Sequence, residues 1–350
     1  MLMFRSMLSV LLITFSFVFG VAALAQDGSF YKNKNIMLVI GFNPGGGFDT
    51  YGRTVAQYWG KHIPGGPKFI VQNMPGAGSL KSAQHLYKVA KQDGSVLGLA
   101  NASLAANILL KPGKVVVDLR EFKWIGSPAR VTNTTVVSPS APVQTLEDLK
   151  TKELIIGGAG GTSVLLPRAA QKILGLKIKV IAGYRGTSGG MLAMEQGEVQ
   201  GATLPYSSLM SGFKDWVNKN KAKVLVQYAL TPNPALPGVP KIIDLAKTEK
   251  QRTALRFLFI YQEMGRPFYA PPGVPDARVK LLRTSFAALV KDPAFRQDAE
   301  RRGLSVAENF PTGEELEKFV AELYATPKEV VSYVRSLELH QKKKRKKKKN

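Results

Sequence analysis

"IMLVIGFNPGGGFDTYGRTVAQYW", Ile36 to Trp59, reads as an apolar strand, a glycine triplet and a helix. In the helix, Tyr51, Val55, Tyr58 and Trp59 fall on one face, as expected of core positions, and Asp49 is placed as an N-cap. Glycines at such a junction let a backbone approach a ligand or a neighbouring element closely. Two phosphate-binding readings fail on the letters. A Walker loop ends in Gly-Lys-Ser/Thr, whereas Gly47 is followed by Phe48, Asp49 and Thr50. A dinucleotide loop needs Gly-x-Gly-x-x-Gly and an acid about 20 residues on. Here Thr50 stands at the third glycine, and the next strand, "KFIVQN", ends in Asn73. What is left is a set of backbone N–H groups at a helix N-terminus, which suits a small anion.

The junction recurs. "VQNMPGAGSLKSAQHLY" (Val71–Tyr87), "ELIIGGAGGTSVLLPRAAQKIL" (Glu153–Leu174) and "KIKVIAGYRGTSGGMLAMEQ" (Lys177–Gln196) each read as strand, glycine-rich turn and helix. Strand-like runs fall at 36–42, 68–72, 96–100, 134–138, 154–157, 177–182 and 223–229. Helix-like runs fall at 50–61, 79–90, 145–150, 164–174, 191–196 and 209–218. The last third shows helical stripes at 278–290, 293–301, 313–325 and 328–337. This alternation is the pattern of an α/β fold with a mainly parallel sheet. In such sheets the junctions line the crevice beyond the carboxyl ends of the strands. Four of them together offer many N–H and hydroxyl donors and few fixed charges, a chemistry suited to a carboxylate.

The chain opens with "MLMFR", an apolar run from Leu8 to Leu24 and Ala23-Leu24-Ala25. These are the parts of a secretory signal peptide over residues 1–25, leaving an exported chain that begins near Gln26. Its length of about 325 residues suggests two domains. With no Cys, disulfides and thiol chemistry are excluded. The net charge is +24. Of 49 Lys and Arg, eight lie in Lys342–Lys349 and one is Arg5, which leaves 40 against 25 acidic residues. Such a field concentrates anions near the surface. The tail, 341–350, has no apolar residue to bury and is expected to be disordered.

Catalysis has one foothold. Gly186-Thr187-Ser188-Gly189-Gly190 matches the nucleophile elbow Gly-x-Ser-x-Gly, which makes a secreted serine hydrolase using Ser188 the enzyme alternative. Its histidine base is poorly supplied: only His340 follows in the chain, and His62 and His85 precede. Three scattered His and no Cys give no metal-ligand spacing. A basic surface-adhesion or nucleic-acid-binding protein is the other alternative, but it lacks a basic–aromatic stripe outside the tail.

"FNPGGGFDTYGR", "VQNMPGAGSLKSAQHLYKVAKQDGSVLG", "WIGSP", "LPGVPKIIDLA" and "RPFYAPPGVPDARVKLL" together resemble the substrate-binding proteins of tripartite tricarboxylate transporters, the Bug receptors. The resemblance runs from about Asn33 to Ser336. It implies a periplasmic-binding-protein type II-like fold, two α/β lobes with a ligand cleft between them that closes on the ligand. Lobe 1 is expected to be discontinuous, over 26–130 and 232–340, with lobe 2 over 131–231 and crossings near Pro128–Asn133 and Leu230–Pro234. The function implied is a periplasmic receptor, not an enzyme, that captures a small carboxylate and delivers it to membrane transporter subunits. A monomer without a cofactor or nucleic-acid partner is expected. Carried over by position, the ligand-binding residues are Asn43, Gly46, Gly47, Phe48, Asp49, Ser79 and Asn101 in lobe 1. In lobe 2 they are Gly161, Thr162, Ser163, Tyr184, Gly186, Thr187 and Tyr206. The chain departs from the family where Phe48 replaces a common Thr, which suggests an aromatic wall and a flatter or more apolar ligand. Gln200 stands where an Asp is common, and no acid follows the 186–190 glycines until Glu195, which disfavours an amino-acid ligand.

Overall fold

Residues 29–110, 117–158 and 162–347 are described in this computed structural model, the last ten as backbone. The expected signal peptide, 1–25, and Gly161 lie outside the described residues. The strands are β1 (Asn35–Ile40), β2 (Lys68–Asn73), β3 (Val96–Leu99), β4 (Lys123–Gly126), β5 (Asn133–Val137), β6 (Leu154–Gly158), β7 (Ile178–Ala182), β8 (Gly201–Pro205), β9 (Lys223–Tyr228) and β10 (Phe268–Ala270). The helices are α1 (Gly47–Trp59), α2 (Leu80–Lys88), α3 (Leu104–Leu110), α4 (Thr162–Leu174), α5 (Gly186–Glu195) and α6 (Tyr206–Gly212). They continue as α7 (Lys214–Asn218), α8 (Glu249–Met264), α9 (Asp276–Lys291), α10 (Pro293–Arg301), α11 (Gly313–Ala325) and α12 (Lys328–Lys347). Two mixed α/β units result, each around its own five-stranded sheet. No helix among the described residues is long and apolar enough to cross a membrane.

Unit 1 takes the described residues of Met1–Asn101, Val116–Pro128 and Arg266–Lys318. Its sheet order is β2-β1-β3-β10-β4. β1 is parallel to β2 and β3, and Ile40 lies in register with both Asn73 and Leu99. The three strands therefore end together, and the turns that follow them share one edge of the sheet. β10, from far along the chain, is antiparallel to β3 and β4. The core forms around Trp59 of α1, which is fully buried. It stacks on Phe69 with ring centroids 5.2 Å apart and meets Phe286 edge-on at 5.0 Å. Its indole N–H donates to Ser285 Oγ at 2.9 Å, so burial leaves no polar group orphaned. Tyr51 and Val55 are buried on the same face of α1, and Tyr58 is half-buried against Phe295. A Cβ at Gly52 would lie 2.4 Å from Ile40 Cδ1, so a larger residue would force the buried Ile40 side chain to shift, and glycine lets α1 lie close to β1.

Unit 2 takes the described residues of Ala102–Val115, Ala129–Gly265 and Phe319–Asn350. Its sheet order is β7-β6-β8-β5-β9. β6 is parallel to β7 and β8, while β5 is antiparallel to β8 and β9. Met191, Met194, Val199, Leu204 and Leu209 pack into one buried cluster with Val136 of β5. Thr135 Oγ1 lies 2.7 Å from Thr203 Oγ1 and 3.0 Å from the Tyr228 hydroxyl, a hydroxyl chain buried within the sheet. Burial pushes the Tyr228 hydroxyl up to about 12.

The unit boundaries differ from those expected. The chain leaves unit 2 at Gly265 and Arg266, not near 230–234, because α8 belongs to unit 2. Near the carboxyl end of that helix, Glu263 accepts the backbone N–H groups of Leu230 and Thr231 at 3.0 and 2.8 Å. It also pairs with Arg130 at 2.5 Å. α3 and the carboxyl-terminal half of α11 also fall in unit 2, so the segments 102–110 and 319–340 leave the expected lobe 1. The basic segment expected to be disordered is helical through Lys347. Lys and Arg are good helix formers, and a helix already nucleated upstream continues through them against the repulsion of like charges three and four positions apart.

Candidate functional site

The turn after β1 is built by α1 itself. Its N-cap is Gly46, not Asp49, and no side chain caps it. Asp49 sits in the third helical position and turns back to fasten the loop. Its Oδ2 accepts the Gly45 N–H and Arg53 Nε–H, each at 2.9 Å, and its Oδ1 accepts from Asn73 Nδ2 at 2.8 Å. Asn73 Nδ2 also donates to the Phe42 carbonyl at 2.9 Å, and Arg53 donates to Asn73 Oδ1 at 3.0 Å. Burial pushes the Asp49 carboxyl up, but the hydrogen bonds from Arg53, Gly45 and Asn73 outweigh it and hold the group below its ordinary value. With 4 % of its surface exposed, Asp49 shapes the turn and does not present its charge to a ligand.

The first N–H groups of α1 have no partner within the helix. A Cβ at Gly47 would meet nothing within 4 Å, and one at Gly46 only the Asn43 carbonyl at 3.9 Å. Neither glycine has a positive φ. These two glycines therefore serve neither packing nor backbone strain. Their Cβ positions are open at the start of the helix, where the first N–H donors lie, and Asn43, Gly46 and Gly47 are all exposed.

Phe48 is not the free aromatic wall expected from sequence. Its ring stacks on Phe42 at 4.0 Å, and the Arg266 guanidinium carbon lies 4.2 Å from its centroid. Two groups this near one centroid need opposite faces of the ring. Ser79 is also out of reach of a ligand, being fully buried. Its hydroxyl donates to the Gly41 carbonyl at 3.3 Å and accepts the Asn101 N–H at 3.1 Å. Ser79 has φ 76°, unusual for a side-chain-bearing residue, and these bonds tie the ends of β1 and β3 to the start of α2. Asn101 contributes its N–H to that tie.

In unit 2 the turns after β6, β7 and β8 share the carboxyl edge of the parallel strands. Thr162 opens α4, and its hydroxyl donates to Asn133 Oδ1 at 3.4 Å. Asn133 is held by Gln262, whose Oε1 accepts both its N–H and its Nδ2, at 3.1 and 2.7 Å. Gln262 and Asn133 were not expected from sequence. They stand 129 positions apart in the chain, and only the fold joins them. Ser163 follows in the first turn of α4, half-buried. α5 begins at Gly186, with φ 64°, and no side chain caps it. Thr187 follows, half-buried. Tyr184 donates to Glu198 at 3.3 Å; burial and that carboxylate push its hydroxyl up. Tyr206 donates to the Ala235 carbonyl at 3.3 Å. Both phenols are thus committed within unit 2. Gln200 Oε1 accepts the Ile155 N–H at 3.0 Å, a structural use of that position.

Ser188 is exposed in the first turn of α5. His62 and His85 both belong to unit 1, where His62 pairs with Asp292 at 2.9 Å. Among the described side chains of unit 2 no histidine accompanies Ser188. Nor do the described residues contain a group of three His, Cys, Asp or Glu able to hold a metal ion.

An uncapped helix start, α1 in unit 1 and α5 in unit 2, is thus a pattern that each unit shows by itself. Comparison with known proteins gives it a context. A UPF0065 protein from Bordetella pertussis is 26% identical over 310 residues, 85% of this chain and 89% of that one. The crystal structure of a TctC solute-binding protein from Polaromonas superposes with a TM-score of 0.68 at 21% identity, over 89% of this chain and 99% of that one. An R. palustris protein determined with adipate superposes with a TM-score of 0.56 at 20% identity, over 87% and 98%. The family profile of the tripartite tricarboxylate transporter family receptor, TctC, matches residues 53–335. The chain belongs to this family of solute-binding receptors.

Proposed function

We propose that this receptor binds a small carboxylate through neutral donors. Its oxygens take the N–H groups of Gly46, Gly47 and Phe48 at the start of α1, and those of Gly186 and Thr187 at the start of α5. The hydroxyls of Thr162 and Thr187 add to them. One ligand uses both sets, so it favours the arrangement of the two units in which both reach it. The observation that carries this reading is the α1 turn, where glycines required by neither packing nor φ leave unpaired N–H groups open. Such groups at a helix start favour negative charge. The adipate-bound relative supports the ligand class. Asp49 is tied up by Arg53 and Asn73, so that turn holds no free acid for an ammonium group, and an amino acid is disfavoured. No bond is made or broken. The receptor works as a monomer in the periplasm, reached through the signal peptide over 1–25, and hands its ligand to membrane transporter subunits.

Thermal unfolding with a panel of acetate, succinate, malate, adipate, citrate, benzoate and glutamate tests this, on protein refolded to strip carried-over ligand. A ligand at about 100 times its Kd adds roughly 2.7 kcal/mol, several degrees in Tm. A shift with one of the carboxylates and none with glutamate is expected. A flat response to all of them would contradict the reading.

A further inference from the structure

We infer that Arg266 reads the charge of the bound ligand: its guanidinium donates to a carboxylate oxygen beside the α1 turn. This rests on the carboxylate reading proposed above and assigns its one fixed charge in unit 1.

Arg266 is held in place at both ends. Its backbone N–H donates to Ser127 Oγ at 2.8 Å. Its guanidinium carbon lies 4.2 Å from the centroid of Phe48 and 5.3 Å from that of Tyr51. Both aromatic residues belong to α1, and Phe48 carries one of the open N–H groups at the helix start. The charge is thereby fixed against the aromatic side chains of the helix whose first N–H groups the carboxylate reading uses.

What the guanidinium lacks is an acceptor. The other half-buried arginines of unit 1 all have one. Arg283 donates to Glu314, Glu317 and the Trp124 carbonyl. Arg296 donates to Glu308, and Arg278 to the Asp93 carbonyl. Among the described residues, the Arg266 guanidinium lies over two aromatic rings and makes no hydrogen bond. Its Nε is buried with no hydrogen-bond partner, while its two terminal nitrogens are not sealed from solvent. Aromatic faces attract a cation but accept none of its N–H bonds in the planar, forked geometry that a carboxylate matches. Burial holds this guanidinium below its ordinary value, partly offset by Tyr51, yet it stays protonated at neutral pH. A fold has little reason to keep an unanswered charge half out of water unless an anion completes it.

The alternative is a purely structural role, with Arg266 clamping α1 through its rings. The two roles differ in sign. Removing an unanswered, desolvated charge leaves the unliganded protein as stable as before, or more so. Removing a clamp destabilises it.

The test compares wild type, Arg266→Gln and Arg266→Lys by calorimetry with the carboxylate panel, and by thermal unfolding without ligand. For a dicarboxylate that binds the wild type, Arg266→Gln is expected to weaken affinity by ten- to hundred-fold, the loss of a charge-assisted pair. Its unliganded Tm should stay level or rise. Arg266→Lys keeps the charge without the fork and should fall in between. Should Arg266→Gln fail to fold, the clamp role wins and the inference is overturned. Wild-type affinity in both variants would overturn it too, while leaving the carboxylate reading intact. A wild type that binds no carboxylate would remove that reading, and this inference with it.

Discussion

The two units share one sheet plan but hold the turns that start α1 and α5 differently. In each, a first strand sits between two parallel neighbours, followed by an antiparallel strand and an edge strand: β2-β1-β3-β10-β4 in unit 1 and β7-β6-β8-β5-β9 in unit 2. In each, the helix after a parallel strand starts without a side-chain cap. In unit 1 the turn is locked by Asp49, Arg53 and Asn73. At the start of α5, Gly186 supplies a left-handed φ, and no comparable carboxylate network closes over it among the described residues. A common sheet thus fixes where donors gather. Local side-chain bonds decide whether they are preset or free to adjust. The turn at α1 is the cross-braced one and the turn at α5 the less constrained one.

The contrast breaks most readily at Asp49. Asp49→Ala leaves Asn73, Arg53 and the Gly45 N–H without their shared acceptor, and we expect a loss of about 2–3 kcal/mol in urea unfolding. A loss below about 0.5 kcal/mol would show that the turn needs no lock. Acid offers a second handle on unit 1. Burial pushes the Asp292 carboxyl up, but bonds from Lys61, the Ala294 N–H and His62 prevail and bring it from 3.8 to about 2. A lowered carboxylate stabilises the fold above its unfolded value and loses that contribution as pH falls through the folded one. Stability should therefore drop by about 2 kcal/mol between pH 4 and pH 2, and Asp292→Asn should flatten that slope. An unchanged slope in the variant would assign the acid loss elsewhere.

The glycines sharpen the comparison. Gly186→Ala forces a left-handed φ on a side-chain-bearing residue and should cost about 1 kcal/mol. Gly47→Ala meets no neighbour and should be neutral, or stabilising by about 0.5 kcal/mol, while its methyl group crowds the N–H row and weakens ligand binding. Equal stability costs at the two positions would remove the distinction. The smallest effect belongs to Thr187→Ala, within about 0.5 kcal/mol in stability but several-fold in affinity.

Much of this was legible in the sequence, for reasons that can be named. Short runs rich in β-branched and apolar residues gave β1, β2, β3, β5, β6, β7 and β9, because such side chains suit a pleated sheet. β4, β8 and β10, of four, five and three residues, were not read as strands. α8 hid for a different reason. Ala254, Leu255, Phe257, Leu258, Phe259 and Ile260 are all buried, so it carries no clear polar stripe. Its start was nonetheless marked by a capping box, Thr248 with Gln251. Missing α8 displaced the expected second crossing by some thirty residues. At the site, the glycine turns could be read directly. The duty of Asp49 could not, since it depends on Asn73, 24 positions away. The burial of Ser79 and the unanswered charge of Arg266 likewise exist only once the chain is folded.

The most direct test of the central claim is an amide NMR titration of the refolded protein with the carboxylate that shifts its Tm. We expect the N–H resonances of Gly46, Gly47 and Phe48 to move together with those of Gly186 and Thr187, saturating at one ligand per chain. Shifts confined to one of the two turns, or absent from both, would contradict a carboxylate held by both units.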